Sequence, residues 1–215
     1  CRPGSIVPRR KDRKMSARFD AFVMFAEMRT GSNHLEESLN TLSDVTSHGE
    51  VFNPSFIGTH NGLELFGIDM AARERDPLPL LDRILGQPGL TGLRFFHNHD
   101  PRVLDRLLDD PRIGKVVLTR NPLDSYVSLA IASQTGQWRL TNPKMAKSAK
   151  ATFVGAEFDA LIDRQRQFRD RIQRHLQLSG QGAFWIGYDD IGDLDVLNGL
   201  AAFLGSGDRL TEVPG

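Results

Sequence analysis

At 215 residues, 40% of them hydrophobic and 25% charged, the chain has the length and composition of a single globular domain, not of a fibrous or disordered protein. Its 27 basic and 27 acidic residues cancel, which argues against a dedicated nucleic-acid binder. The single cysteine, Cys1, rules out an intrachain disulfide framework and points to a reducing, cytoplasmic location, and no stretch approaches the roughly 20 apolar residues of a membrane span.

Residues 1–18 hold seven Lys or Arg against one Asp and read as a disordered basic tail, with residues 1–14 outside the fold. One domain is expected over 19–215. An apolar strand over about 19–27 runs into Met28-Arg29-Thr30-Gly31-Ser32-Asn33-His34. The helix that follows is expected to start near Ser32 or Asn33, either of which suits an N-cap, and it carries Leu35, Leu39 and Leu42 at helical spacing. A strand, a tight turn and a helix N-terminus together present backbone amides to an anion. The turn departs from the nucleotide-binding pattern Gly-x-x-x-x-Gly-Lys-Ser/Thr: it has no Lys, and Arg29 precedes its only Gly.

Residues 44–48 are short and β-prone, and Gly49 to Pro54 turn the chain. A helix is predicted near 69–86, interrupted around Pro77 and Pro79. Leu93-Arg94-Phe95-Phe96 is a third strand, and Asp100-Pro101 caps a helix with Leu104, Leu107 and Leu108 on one face. Residues 114–119 read as a buried strand ending at Arg120. Pro122 then opens a helix to about 134, with Ser128 two turns along. Residues 143–155 read as a mobile loop. Residues 156–178 form a long amphipathic helix with Phe158, Leu161, Ile162, Phe168, Ile172 and Leu176 in its stripe and Arg164, Arg166, Arg169, Arg171 and Arg174 on the solvated face. Residues 183–188 are a final strand, after which Asp189 or Asp190 is expected to start a helix carrying Leu194, Leu197, Leu200 and Leu204.

Strands alternating with helices imply an α/β, P-loop-like three-layer fold with a central, mostly parallel sheet flanked by helices. Ligands bind such sheets beyond the carboxyl ends of the strands. The Arg29 loop, the Glu50 turn, the His97–His99 segment, Arg120 and Tyr188 all follow strands and should share one rim. There, two arginine-bearing turns can grip two anionic groups of one ligand. The Asp, Glu and His residues show no metal-ligand spacing, apart from the close pair His97 and His99.

Met28-Arg29-Thr30-Gly31-Ser32-Asn33 resembles the 5′-phosphosulfate loop of the sulfotransferases that use 3′-phosphoadenosine-5′-phosphosulfate (PAPS), in which a basic residue precedes Ser/Thr-Gly-Ser/Thr. Arg120-Asn121-Pro122, with Ser128 eight residues after Arg120, resembles their 3′-phosphate motif. Ser47-His48-Gly49-Glu50-Val51-Phe52-Asn53-Pro54 and Gln134-Thr135-Gly136-Gln137-Trp138 are similar to the bacterial carbohydrate branch, the nodulation-factor and trehalose sulfotransferase-like groups.

The resemblance runs from about residue 19 to the C-terminus. It implies transfer of a sulfuryl group from PAPS to a hydroxyl of a carbohydrate or glycolipid, with no metal and no nucleic-acid partner. It assigns Arg29, Thr30, Gly31, Ser32 and Asn33 to the phosphosulfate, and Arg29 also to the bridging oxygen. Arg120 and Ser128 take the 3′-phosphate, and Glu50 is the base that takes the acceptor proton. His48, His97 and His99 are competing bases. Tyr188 and Trp185 are candidates to flank the adenine, with Trp138 a rival, and one of Phe184 and Trp185 belongs to the core.

Arg29 stands where many relatives carry Lys. Such relatives often continue with a basic segment that helps hold the donor, so the resemblance reads Gly215 as a truncated end. The acceptor pocket is expected from residues 54–80 and 139–157. Two alternatives stand beside this reading. One is a P-loop kinase or NTPase, weakened by the missing Gly-Lys-Ser/Thr and by the lack of a clear strand Asp for magnesium; the other is a non-catalytic nucleotide- or glycan-binding relative.

Overall fold

In the computed structural model, residues 18–137 and 149–214 are described. Most of the basic tail, Trp138 and the first part of the expected 143–155 loop lie outside the described residues. A central parallel sheet is built from β1 (Ala21–Phe25), β2 (Val45–Ser47), β5 (Leu90–Phe95), β6 (Ile113–Thr119) and β7 (Ala183–Gly187). Its strand order is β2-β5-β1-β6-β7, and every pairing is parallel. A small antiparallel hairpin, β3 (Glu64–Leu65) and β4 (Ile68–Asp69), stands apart from it.

The apolar run of β1 is buried at every position because helices cover both faces of the sheet. Val23 and Phe25 pack into one core with residues of α3 (Leu78–Leu85), α4 (Pro101–Asp109) and α6 (Gly155–Ser179). Phe22 and Met24 alternate into a second core with α1 (Ser32–Leu39) and α7 (Leu194–Leu204). The architecture is therefore an α/β fold with a parallel sheet between two helical layers. The stripe of α6 packs as expected through Leu161, Ile172 and Leu176, and its five arginines are exposed. The predicted 69–86 helix is two helices, α2 (Met70–Arg75) and α3, because neither Pro77 nor Pro79 can donate an amide.

Two helix starts differ from expectation. Ser32 is the first residue of α1 and Gly31 is its N-cap, with φ 88° and no capping side chain. After β7 the chain makes a short 3₁₀ turn, Tyr188–Asp190, and α7 begins only after Asp193, whose carboxylate accepts from the Asp195 and Val196 amides. Phe184 turns toward the second core while Trp185 is exposed.

β1 lies in the middle of the sheet, with β5 and β6 as its two neighbours. The chain builds outward from it in both directions, so the loop after β1 opens at the switch point of the sheet, where α/β folds place their ligands. The loop after β6, leading into α5 (Pro122–Thr135), opens directly beside it.

Candidate active site

The loop after β1 is a closed turn. The Thr30 amide and hydroxyl both donate to the Glu27 carbonyl, at 3.3 and 2.7 Å. The hydroxyl proton of Thr30 is thereby committed to the turn, and the side chain is buried. Arg29 takes a left-handed backbone, φ 65°, which is strained for a residue with a β-carbon. Gly31 is required by geometry twice over. Its φ is +88°, and a β-carbon there would lie 2.6 Å from Ile191 Cδ1 and 2.9 Å from Tyr188 Cδ2. With glycine rather than Ser or Asn at the cap, no capping side chain bonds the first-turn amides of α1. Its amides and the positive end of the helix therefore face the loop mouth.

Four of the expected ligand residues meet here. Arg29 Nε donates to Ser128 Oγ at 2.9 Å, across from β1 to α5. Arg120 Nη1 donates to the Arg29 carbonyl at 2.9 Å. The Arg120 guanidinium also lies over the Tyr188 ring, 3.7 Å from its centre. The neighbouring residue Asn121 caps α5 by accepting from the Leu123 amide at 2.9 Å.

Burial and then the nearby Arg120 charge lower the Arg29 pKa, with Tyr188 acting the other way. Arginine nevertheless stays charged at any ordinary pH. Arg120 Nε and Ser125 Oγ are buried with no hydrogen-bond partner among the described residues. Two guanidinium groups are thus held close together beside buried donors that have no hydrogen-bond partner among the described residues, an arrangement that favours an anion.

Glu50 is pinned on the adjacent part of the rim. Gly49 bends back with φ 76° so closely to Gly58 that a β-carbon would lie 2.2 Å from the Gly58 oxygen. Glu50 and Gly58 then exchange backbone hydrogen bonds of 2.8 and 3.2 Å. The Glu50 carboxylate accepts from Asn53 Nδ2 at 2.8 Å and lies 3.4 Å from Arg94 Nη1 and 3.5 Å from His99 Nε2. Burial is the largest influence on Glu50 and pushes its pKa up. The His99 contact, the Arg94 charge and the Asn53 amide overcome it, leaving the carboxyl below its ordinary value and ionised at neutral pH.

Arg94 joins Glu50 to the helix that follows the β1 loop. It is buried in β5, with Nε 3.0 Å from Glu36 Oε2 and Nη1 donating to Ser32 Oγ at 3.2 Å. Glu36 in turn accepts from Ser47 Oγ and the Gly49 amide, at 2.5 and 2.9 Å. Sequence reasoning had not singled out Arg94 or Glu36. The available signal was a charged residue inside the otherwise apolar run 93–96, where an arginine is buried only with partners. Ser32 keeps its own hydroxyl proton to donate after accepting from Arg94. Asn33, in the first turn of α1, is half-buried.

The histidines divide. His48 turns to Thr91 Oγ1 at 3.0 Å, and burial lowers its pKa. His97 is held by Glu27 Oε2 at 2.5 Å, and the other Glu27 oxygen is buried without a hydrogen-bond partner among the described residues. His99 is fully buried against Glu50. Among the described residues no group of three His, Cys, Asp or Glu is placed to hold a metal, and no helix is long and apolar enough to cross a membrane.

No protein-family model matches the chain. It is 27% identical over 161 residues to nodulation protein H of Rhizobium tropici, an alignment covering 72% of this chain. The chain spans about 63% of the length of that relative, so the relation is distant and partial.

Proposed function

We propose that this chain is a PAPS-dependent sulfotransferase with a P-loop-like anion site, acting on a hydroxyl of a carbohydrate or glycolipid. The observation that carries the reading is the meeting of Arg29, Arg120 and Ser128 across two neighbouring strand ends, beside an uncapped helix N-terminus. PAPS carries two separate anionic groups, and this rim offers two adjoining cationic turns. The buried, uncommitted Arg120 Nε and the face of Tyr188 fit a nucleotide bearing a 3′-phosphate. The motif resemblance to nodulation-factor sulfotransferases agrees with the distant similarity to a nodulation protein.

The donor supplies the sulfuryl group and leaves as adenosine 3′,5′-bisphosphate. Arg120 and Ser128 hold the 3′-phosphate. Arg29 and the amides of the first turn of α1 hold the 5′ end and stabilise charge on the departing oxygen. Glu50, ionised at neutral pH, accepts the proton of the acceptor hydroxyl as the new oxygen–sulfur bond forms and the bond to the 5′-phosphate breaks. Sulfuryl transfer makes the same demands as phosphoryl transfer, in-line positioning and neutralised charge, and the two arginines of the rim support the second.

The test is transfer of radiolabelled sulfate from PAPS to a panel of oligosaccharide and glycolipid acceptors. Wild-type protein labels at least one acceptor, and Glu50→Gln lowers kcat by roughly 10²–10⁴ while still binding the bisphosphate. Undiminished transfer by Glu50→Gln removes Glu50 as the base. Absence of transfer together with absence of bisphosphate binding overturns the reading.

A further inference from the structure

β5 ends at Phe95, and a short turn leads through His97 and His99 into α4. The His99 side chain is completely excluded from solvent. Its ring stacks on Phe96, 5.0 Å between centres at 22°, and meets Phe95 edge-on at 5.3 Å. An imidazole in such an apolar slot is costly unless both nitrogens are used. Nδ1 accepts from the Phe96 backbone amide at 3.3 Å. A neutral imidazole that accepts at Nδ1 carries its proton on Nε2. That nitrogen lies 3.5 Å from Glu50 Oε2. The backbone of the turn thus sets the tautomer, and the tautomer aims an N–H at the carboxylate.

We propose that His99 is the positioning residue for Glu50: a neutral Nε2–H donor, fixed by the Phe96 amide, that holds the carboxylate in the orientation from which it takes the acceptor proton. The proposal rests on the sulfotransferase reading of the site. Glu50 Oε2 receives Asn53 Nδ2 from one side and faces His99 from another, while Oε1 faces Arg94. Asn53 is on the same turn as Glu50, whereas His99 comes from the turn after β5, the strand next to β2. Without His99, that oxygen keeps only a partner that moves with its own turn. At 3.5 Å this is a close approach and not a formed hydrogen bond: His99 Nε2 is buried without a hydrogen-bond partner among the described residues, and the Glu50 carboxylate is the acceptor it faces.

The charged and titratable groups facing this pair are Arg94 from β5, Glu27 from the end of β1 and, through Arg94, Glu36 from α1. Burial lowers the His99 pKa most. Glu50 and Glu27 oppose that and Arg94 adds to it, and the net is a ring that stays neutral. A neutral donor leaves the charge on Glu50 intact, where an imidazolium would hold it in a closed ion pair. If the site needed only filling, a phenyl ring would serve between Phe95 and Phe96 without desolvating two nitrogens.

That contrast defines the test. His99→Phe keeps the shape and loses the donor, and His99→Gln keeps an amide N–H near the position of Nε2. Both variants are followed by the pH profile of sulfuryl transfer and by the ¹³C titration of the Glu50 carboxyl, which needs no turnover. Because the His99 contact lowers the Glu50 pKa, its loss raises it. In His99→Phe the Glu50 titration and the acidic limb of kcat/KM both move to higher pH. Its kcat falls about tenfold, part of the roughly 10²–10⁴ a general base contributes, with unchanged KM for the donor. His99→Gln restores most of both.

An unmoved Glu50 titration in a folded His99→Phe overturns the proposal. If His99→Phe fails to fold, ¹⁵N shifts of the wild-type ring decide, and a proton on Nδ1 or a charged ring overturns it. Failure of the wild type to bind adenosine 3′,5′-bisphosphate or to transfer sulfate would strike the sulfotransferase reading instead, and the carboxyl titration still reports on His99.

Discussion

Both ends of the sheet bury charge, and they treat it differently. At the amino ends of the strands, Lys115 is fully buried inside β6. Its ammonium donates to the Asp110 carbonyl and to Gln181 Oε1, each at 2.6 Å, and Gln181 passes its own amide to the Leu108 carbonyl. Burial pushes the Lys115 pKa down to about 8, yet its donors are used. Asp110 beside it receives the guanidinium and the amide of Arg112.

At the carboxyl ends, Glu27 Oε1, His99 Nε2, Arg120 Nε and Ser125 Oγ are among the atoms buried without hydrogen-bond partners among the described residues, and Arg29 holds a strained backbone. A buried polar atom left unmatched costs on the order of 1–3 kcal/mol. At the first end the buried Lys115 and Asp110 are matched by fixed protein partners. The other leaves buried donors and a carboxylate oxygen unmatched at the place where such folds put ligands.

The sharpest way to break this comparison is at Arg94, where rim and frame meet. Arg94→Met fills the space but leaves Glu36 and Glu50 buried without their shared cation. The expected cost is ~3–5 kcal/mol, read as a lowered urea midpoint, because removing one partner of a buried ionic set strands the others. A shift no larger than a surface substitution would show that Arg94 does not hold the rim together.

A smaller effect is expected at the closed end. Asp110→Asn should lower stability at neutral pH by roughly the 1 kcal/mol typical of point substitutions, and leave bisphosphate binding unchanged. Hydrogen bonds from Arg112 hold the Asp110 pKa at about 2, below its unfolded value. Its contribution is therefore full above about pH 4 and disappears as pH falls through about 2, so the wild-type and variant stabilities converge in acid. A change in ligand affinity from this substitution would erase the distinction between the two ends.

Much of the fold was legible because its signals are local. The strands expected over about 19–27 and 114–119 are the buried β1 and β6, and the leucine spacing of α1 and α4 matched the faces that pack. The loop after β1 was legible as strand, turn and helix, and the structure brings Arg29, Arg120 and Ser128, each expected at a strand end or in the helix after it, into contact. What stayed hidden depends on three-dimensional neighbours. That Gly31 and not Ser32 caps α1 follows from the approach of Tyr188 and Ile191, some 160 residues away in sequence. Arg94 binds Glu36 and Glu50 from two other elements, so nothing within its own strand announces its partners. The tautomer of His99 depends on one backbone amide and has no sequence signature.

The measurement that tests the account most directly is calorimetric binding of adenosine 3′,5′-bisphosphate, against ATP and 5′-AMP, without magnesium. The account predicts preference for the bisphosphate and a loss of at least about 30-fold in Arg120→Ala, the cost of truncating one partner of a buried charged contact. Equal affinity for 5′-AMP, or an Arg120→Ala variant that binds as tightly as the wild type, would contradict it.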